Sequence, residues 1–175
     1  MNVPGSGQAD ILLRQSRAYH AQLSAMADMK ASMLITMASI ILTLTASRVT
    51  QIVSPWPFRV LMASCFVTIL LAAYAVMPKM PFRKGPPSAA LRASPRFNVL
   101  FFGDYSGMSY AEFEAQMTPL LNDPSAGYEA QVREIYLLGV YLTENKYRFL
   151  RLAYLSFMAG LATSLILVLL DMTRS

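Results

Sequence analysis

Three groups of side chains in this 175-residue chain have the types and spacing to bind or to gate something. The first is the FFGDYSG stretch. Phe101, Phe102 and Tyr105 offer aromatic faces beside a Gly103-Asp104 turn signal, just ahead of a helix start. Aromatic rings stack on bases and helix N-termini accept phosphate, and Arg96 and Arg133 could neutralise its charge. The competing reading is that Val99, Phe101 and Phe102 are core residues that pin the segment to a helix. The second group is the set of charges at the ends of apolar runs: Asp28, Lys30, Lys146, Arg148 and Arg151. An aspartate at the edge of hydrocarbon is costly unless paired, so a salt bridge from Asp28 to one of the last three is expected. Alternatively the basic cluster receives an anionic ligand or anchors against lipid headgroups. The third group is Ser32, Thr36, Ser39, Thr43 and Ser47, which at 100° per residue share about 80° of arc on one helix face, with Asp28 on the same line.

Other chemistry is missing. There is one cysteine, Cys65, and one histidine, His20. Neither has the neighbours that a metal site or a nucleophile requires. No Walker loop, no GxGxxG and no paired catalytic carboxylates occur. We therefore expect no enzyme, no metal and no cofactor.

The elements that must position these residues are apolar helices. The chain is 55% hydrophobic with a positive mean hydropathy, a composition that fits a small membrane protein. Its net charge of +5 suggests nucleic acid at first sight, but the basic residues flank apolar segments, as lipid anchoring requires. No nucleic-acid partner is expected. The sequence predicts an all-α membrane protein with three transmembrane helices at about 31–48, 59–77 and 152–171. The first is marginal: its charge-free run, Ala31 to Ser47, falls short of the ~20 residues that cross ~30 Å of hydrocarbon, and Lys30 and Arg48 must snorkel to extend it. Trp56, between two prolines, reads as an interfacial anchor. Ser64, Thr68 and Ala72 give the second span a small face, and Ser156, Gly160 and Ser164 do the same for the third. Helix packing accounts for such faces more readily than a permanently open pore.

Nine Lys or Arg lie between Lys79 and Arg151, whereas the 49–58 connection has none. The positive-inside rule then puts the N-terminus and the 79–151 segment in the cytoplasm and makes spans one and three parallel. The first and third spans carry cytoplasmic helical extensions, with a short helical insert between. The domain layout is one unit, 1–175: a helix at 8–30, a transmembrane hairpin at 31–77, an extended Pro-rich basic linker at 78–96, a helical region at 97–151 and the last span. Leu12, Tyr19, Leu23 and Met26 form an apolar stripe expected to pack. Ser109 with Glu112 has the capping-box pattern of a helix running to about Leu121. Asn122-Asp123-Pro124 stops it and starts the next. From there one helix of about 45 residues, by breaker count, extends through the third span.

The chain resembles a known family in three blocks: ADMKASMLITMASIIL at the start of span one, NVLFFGDYSGMSYAEF, and YEAQVREIYLLGVYLTENKYRFLRLAYLSF before the last span. In this order and spacing, over roughly residues 8 to 170, they are similar to the transmembrane effectors of Pycsar, the bacterial pyrimidine-cyclase antiphage system. The resemblance implies a multi-pass protein of the bacterial inner membrane. It implies activation by cyclic UMP or cyclic CMP from a partner cyclase, and loss of membrane integrity that aborts infection. A homo-oligomer in the lipid bilayer is expected. The alternative is a membrane-anchored scaffold that neither conducts nor responds to a ligand.

Overall fold

The computed structural model describes residues 6–49, 56–78, 87–92, 94 and 97–174. Among them every regular element is helical: α1 (Ser6–Val49), α2 (Trp56–Val76), α3 (Ala89–Arg92), α4 (Phe102–Tyr105), α5 (Tyr110–Asn122) and α6 (Pro124–Tyr141). A π-helical segment (Leu142–Tyr147) and α7 (Arg148–Arg174) follow α6 without a break. Three helices are long and apolar enough to cross a membrane: Gly7–Ser47, Trp56–Val76 and Pro124–Thr173. The protein is thus an all-α, multi-pass membrane protein. The 21 residues of α2 span about 31 Å at 1.5 Å per residue, the thickness of the hydrocarbon layer. The helix starts at Trp56, three residues before the expected 59, because Pro57 falls in the first turn, where a missing N–H costs nothing.

The described residues divide into two compact units. One comprises Leu23–Met77 with Leu142–Ser175 and holds the three apolar segments. Its core is built mostly from small residues on one side of each helix, Ala27, Ala31 and Ala38 of α1, Cys65, Ala72 and Ala75 of α2 and Ala153 of α7, with Leu34, Leu150 and Phe157 filling between them. Small residues let backbones approach, which is how helices associate where lipid is as apolar as leucine. The expected small faces of spans two and three meet each other. Gly160 lies so close to Ser64 that a β-carbon there would collide with the Ser64 side chain. The Thr68 hydroxyl donates to Ser64 O at 2.7 Å and reaches Ala153 O at 3.5 Å, and Ser156 Oγ reaches Ser64 O at 3.5 Å. Tyr74 and Phe149 pack edge to face at 4.6 Å. The pairings 64 with 156, 68 with 153 and 74 with 149 run in opposite senses, so α2 and α7 are antiparallel. Outside this core the apolar side chains are exposed, among them Met33, Met37, Phe66, Leu70, Leu155 and Ile166. An exposed apolar surface of this extent is of the kind that meets a membrane or another protein.

The other unit comprises Met1–Gln22 with Pro78–Tyr141. Its α5 begins with a full capping box. Ser109 Oγ accepts from Glu112 N at 3.3 Å, and the Glu112 carboxylate accepts from Ser109 N at 3.0 Å. Asp123 Oδ1 accepts from Ser125 N at 2.9 Å and opens α6, with Pro124 at its first position as expected. The early turns of α1 meet α6 through the Tyr128 hydroxyl, which donates to Asp10 Oδ1 at 2.9 Å, and through Arg17 and Glu134, 2.6 Å apart. Three expectations need correction. The stripe Leu12, Tyr19, Leu23, Met26 is not the packed face: Leu12 and Tyr19 are 64% and 59% exposed, Met26 is exposed and Leu13 is buried instead. The segment 87–92 is not extended but contains α3, held by Arg92 Nε donating to Pro87 O at 3.0 Å. The helix from Pro124 onwards is continuous but not uniformly α, because six residues are π-helical.

Candidate functional site

The charges at the edge of the membrane unit form a defined clasp. Lys146 Nζ donates to Asp28 Oδ1 at 2.7 Å, to Asp28 Oδ2 at 2.8 Å and to Ser24 Oγ at 2.9 Å. An ammonium has three protons, and all three have acceptors. Its side chain is only 14% exposed, against 45% for that of Asp28, so the lysine depends on the aspartate more than the reverse. The next residue, Tyr147, donates its hydroxyl to Leu23 O at 3.0 Å. The expected pairing of Asp28 thus selects Lys146 among the three cations considered. Lys30, Arg148 and Arg151 are exposed and stand outside the clasp. Depth explains the choice. Lys146 lies just before α7 and reaches the Asp28 carboxylate, whose neighbour on α1, Ala27, is buried.

The hydroxyl face of α1 has no partner within this unit's core. Ser32, Thr36, Thr43 and Ser47 are exposed and Ser39 is half-buried. The buried residues Ala27, Ala31, Leu34 and Ala38 occupy the far side of the helix, about 150° round by the helical repeat. Thr36 Oγ1 donates to Ser32 O and Thr43 Oγ1 to Ser39 O, each at 2.9 Å, and Ser47 Oγ donates to Leu44 O at 2.8 Å. The side chain of Arg48 lies outside the described residues.

The loop constellation is only partly assembled. Phe101 and Phe102 lie with ring centroids 5.2 Å apart, and Phe102 is 48% exposed. Tyr105 packs on Phe113 at 4.9 Å. Asp104 Oδ2 accepts from Asn98 N at 3.0 Å, which folds the segment back on itself. Arg133 is engaged with Glu129, one turn earlier on α6, at 3.0 Å. No contact joins it to the aromatic residues among those described. Arg96 lies outside the described residues. Sequence reasoning missed two polar residues here. Arg92 pairs with Glu112 at 3.3 Å, which ties α3 to the capping box. The serine N–H and hydroxyl at position 109, helped by that guanidinium, hold the Glu112 carboxyl below its ordinary value. Asn98 is 4% exposed, and its Nδ2 has no partner among the described residues. An asparagine in an apolar run signals such a site only once its burial is known. Among the described residues no cluster of His, Cys, Asp or Glu could hold a metal.

The three blocks that carry the sequence resemblance lie on α1, on the segment from Asn98 into α5, and on α6 through α7. A family model, PycTM, described as the Pycsar effector protein domain, matches residues 11–172. The chain belongs to the Pycsar effector family. As a family member it is an antiphage defence effector, the membrane component rather than the cyclase of such a system. No curated protein and no solved structure matches the chain.

Proposed function

We propose that this Pycsar effector is activated by a cyclic pyrimidine nucleotide, cyclic UMP or cyclic CMP, made by a partner cyclase, and that activation breaches the bacterial inner membrane and aborts infection. The observation that carries the membrane step is the orientation of the hydroxyl face. Ser32, Thr36, Ser39, Thr43 and Ser47 point away from the chain's own helical core and lie among lipid-facing methionines and leucines. Among the described residues no polar side chain from another helix meets this face. Copies that bring their α1 helices together would enclose it, and a hydroxyl-lined seam between copies is a path for ions. The Thr36, Thr43 and Ser47 hydroxyls reach backbone carbonyls of their own helix, so the face tolerates lipid until assembly. The effector is therefore a homo-oligomer when active, with its N-terminus in the cytoplasm. The messenger would meet the region around Asn98, Phe101, Phe102 and Tyr105, with Arg92, Arg96 and Arg133 as phosphate partners.

The test is depolarisation and dye leakage in bacteria expressing the protein, with and without the cognate cyclase or added cyclic UMP or CMP. Leakage only with messenger is the expected result. Replacing Ser32, Thr36, Ser39 and Thr43 together by leucine should abolish leakage while nucleotide binding persists. Leakage that survives this change refutes the lining role. Inserted protein that binds no nucleotide and never leaks would instead be a scaffold.

A further inference from the structure

The helix that enters the membrane unit through α7 contains six π-helical residues, Leu142–Tyr147. Wide turns of this kind are rare and short because their hydrogen bonds run from residue i to i+5 and close less well than α-helical ones. Something must hold such a turn open, and the clasp is at the right place. Lys146 and Tyr147 are adjacent, yet both grip one stretch of α1, the first at Ser24 and Asp28 and the second at Leu23 O. Neighbours on an α-helix diverge by about 100° and cannot both face one partner helix well. A wider turn carries more residues and so brings neighbours closer in angle. Its composition also suits it, since Thr143 and Asn145 have short polar side chains that compete with α-helical backbone bonding.

We propose that Leu142–Tyr147 is a register switch, held in its π form by the Lys146–Asp28–Ser24 clasp and free to become α-helical when the clasp opens. A π bulge holds one residue more than the α turns it replaces. Converting it displaces the chain before the segment, relative to the chain after it, by about one residue's arc, ~100°. That is a two-state change in a packed helix, the kind of element that a ligand can bias. As the regulation of the membrane breach proposed above, the switch rests on that reading. As a structural transition it can be tested separately.

The experiment uses the full chain in phosphatidylethanolamine–phosphatidylglycerol nanodiscs, in a Cys65→Ala background, with spin labels at positions 136 and 152, both exposed and on either side of the segment. By helix arithmetic sixteen α-helical residues subtend about 160°, and the same stretch with one surplus residue held in a bulge about 60°. Pulsed electron resonance should therefore read a label separation longer by about 3 Å after conversion. Asp28→Asn should lengthen it. The swap Asp28→Lys with Lys146→Asp should restore the wild-type value. Deleting Glu144 removes the surplus residue, so that variant should keep the short distance and ignore Asp28→Asn. An Asp28→Asn protein that is folded and keeps the wild-type distance overturns the proposal, as does a Glu144 deletion that still responds. Leakage is measured on the same variants. Messenger-independent leakage from Asp28→Asn places the switch in control of the breach. A distance shift without leakage upholds the switch and counts against the breach.

Discussion

Gly160→Ala is a one-atom test of the helix packing, and its sign is not obvious. Alanine is the better helix former, by about 0.8–1 kcal/mol, so on propensity alone the change stabilises α7. Packing opposes it. The added carbon would collide with both Ser64 Oγ and Ser64 Cβ, whereas the Ser64 α-carbon is 3.7 Å away. Carbon atoms rest at about 3.5–4 Å. Rotating the serine hydroxyl relieves the first contact but not the second, so α2 and α7 must part where they cross. Overpacking of this kind costs about 1–3 kcal/mol. The upper end applies here, because parting the helices also loosens Thr68 on Ala153 and the buried Phe157. Set against the propensity gain, the expected net loss is about 2 kcal/mol, some thirtyfold in the folded ratio. The assay is reversible unfolding in mixed detergent followed by circular dichroism. Adding Ser64→Gly removes both clashing atoms and should return stability to near wild type. A Gly160→Ala protein at least as stable as wild type would refute the close approach.

The Glu112 carboxyl, held low by the Ser109 cap, contributes stability that is present above the ordinary glutamate range and lost as pH falls through its lowered folded value. An acid titration by circular dichroism should therefore show α5 surviving below that range, and Ser109→Ala should move the transition to higher pH and cost about 1 kcal/mol. The Tyr128 phenol is raised, first by its hydrogen bond to Asp10, so this contact holds at neutral pH and is lost only as pH rises past the raised value. Ultraviolet titration should show that group ionising late, and Asp10→Ala should bring it back towards the ordinary tyrosine value. Tyr147→Phe deletes one hydrogen bond to Leu23 O and should cost about 1 kcal/mol in the detergent assay, without the charge effect of Asp28→Asn.

The membrane character of this chain follows from its sequence alone. Runs such as VLMASCFVTILLAAYAV are too apolar and too long for anything but a span, since every backbone polar group in lipid must close on its own helix. The capping box at Ser109 and the stop at Asn122-Asp123-Pro124 are equally local, decided by side chains within a turn of the backbone groups they satisfy. The small faces of the second and third spans were legible because spacing by four marks one side of a helix, and the need for a partner to Asp28 followed from the cost of an unpaired charge. Which cation would answer was a matter of depth and reach, and only the packed unit decided for Lys146. Tertiary structure likewise decided which side of α1 faces inward. In the stretch from Ile11 to Met26 apolar residues lie on several sides, and contact with α6 through Asp10 and Arg17 selected the side that buries Leu13 and leaves Leu12 and Tyr19 exposed. The π turns were invisible in the sequence. A helix pattern reads the same through one surplus residue, and only the simultaneous hold of Lys146 and Tyr147 on a second helix makes the wider turn the favourable one.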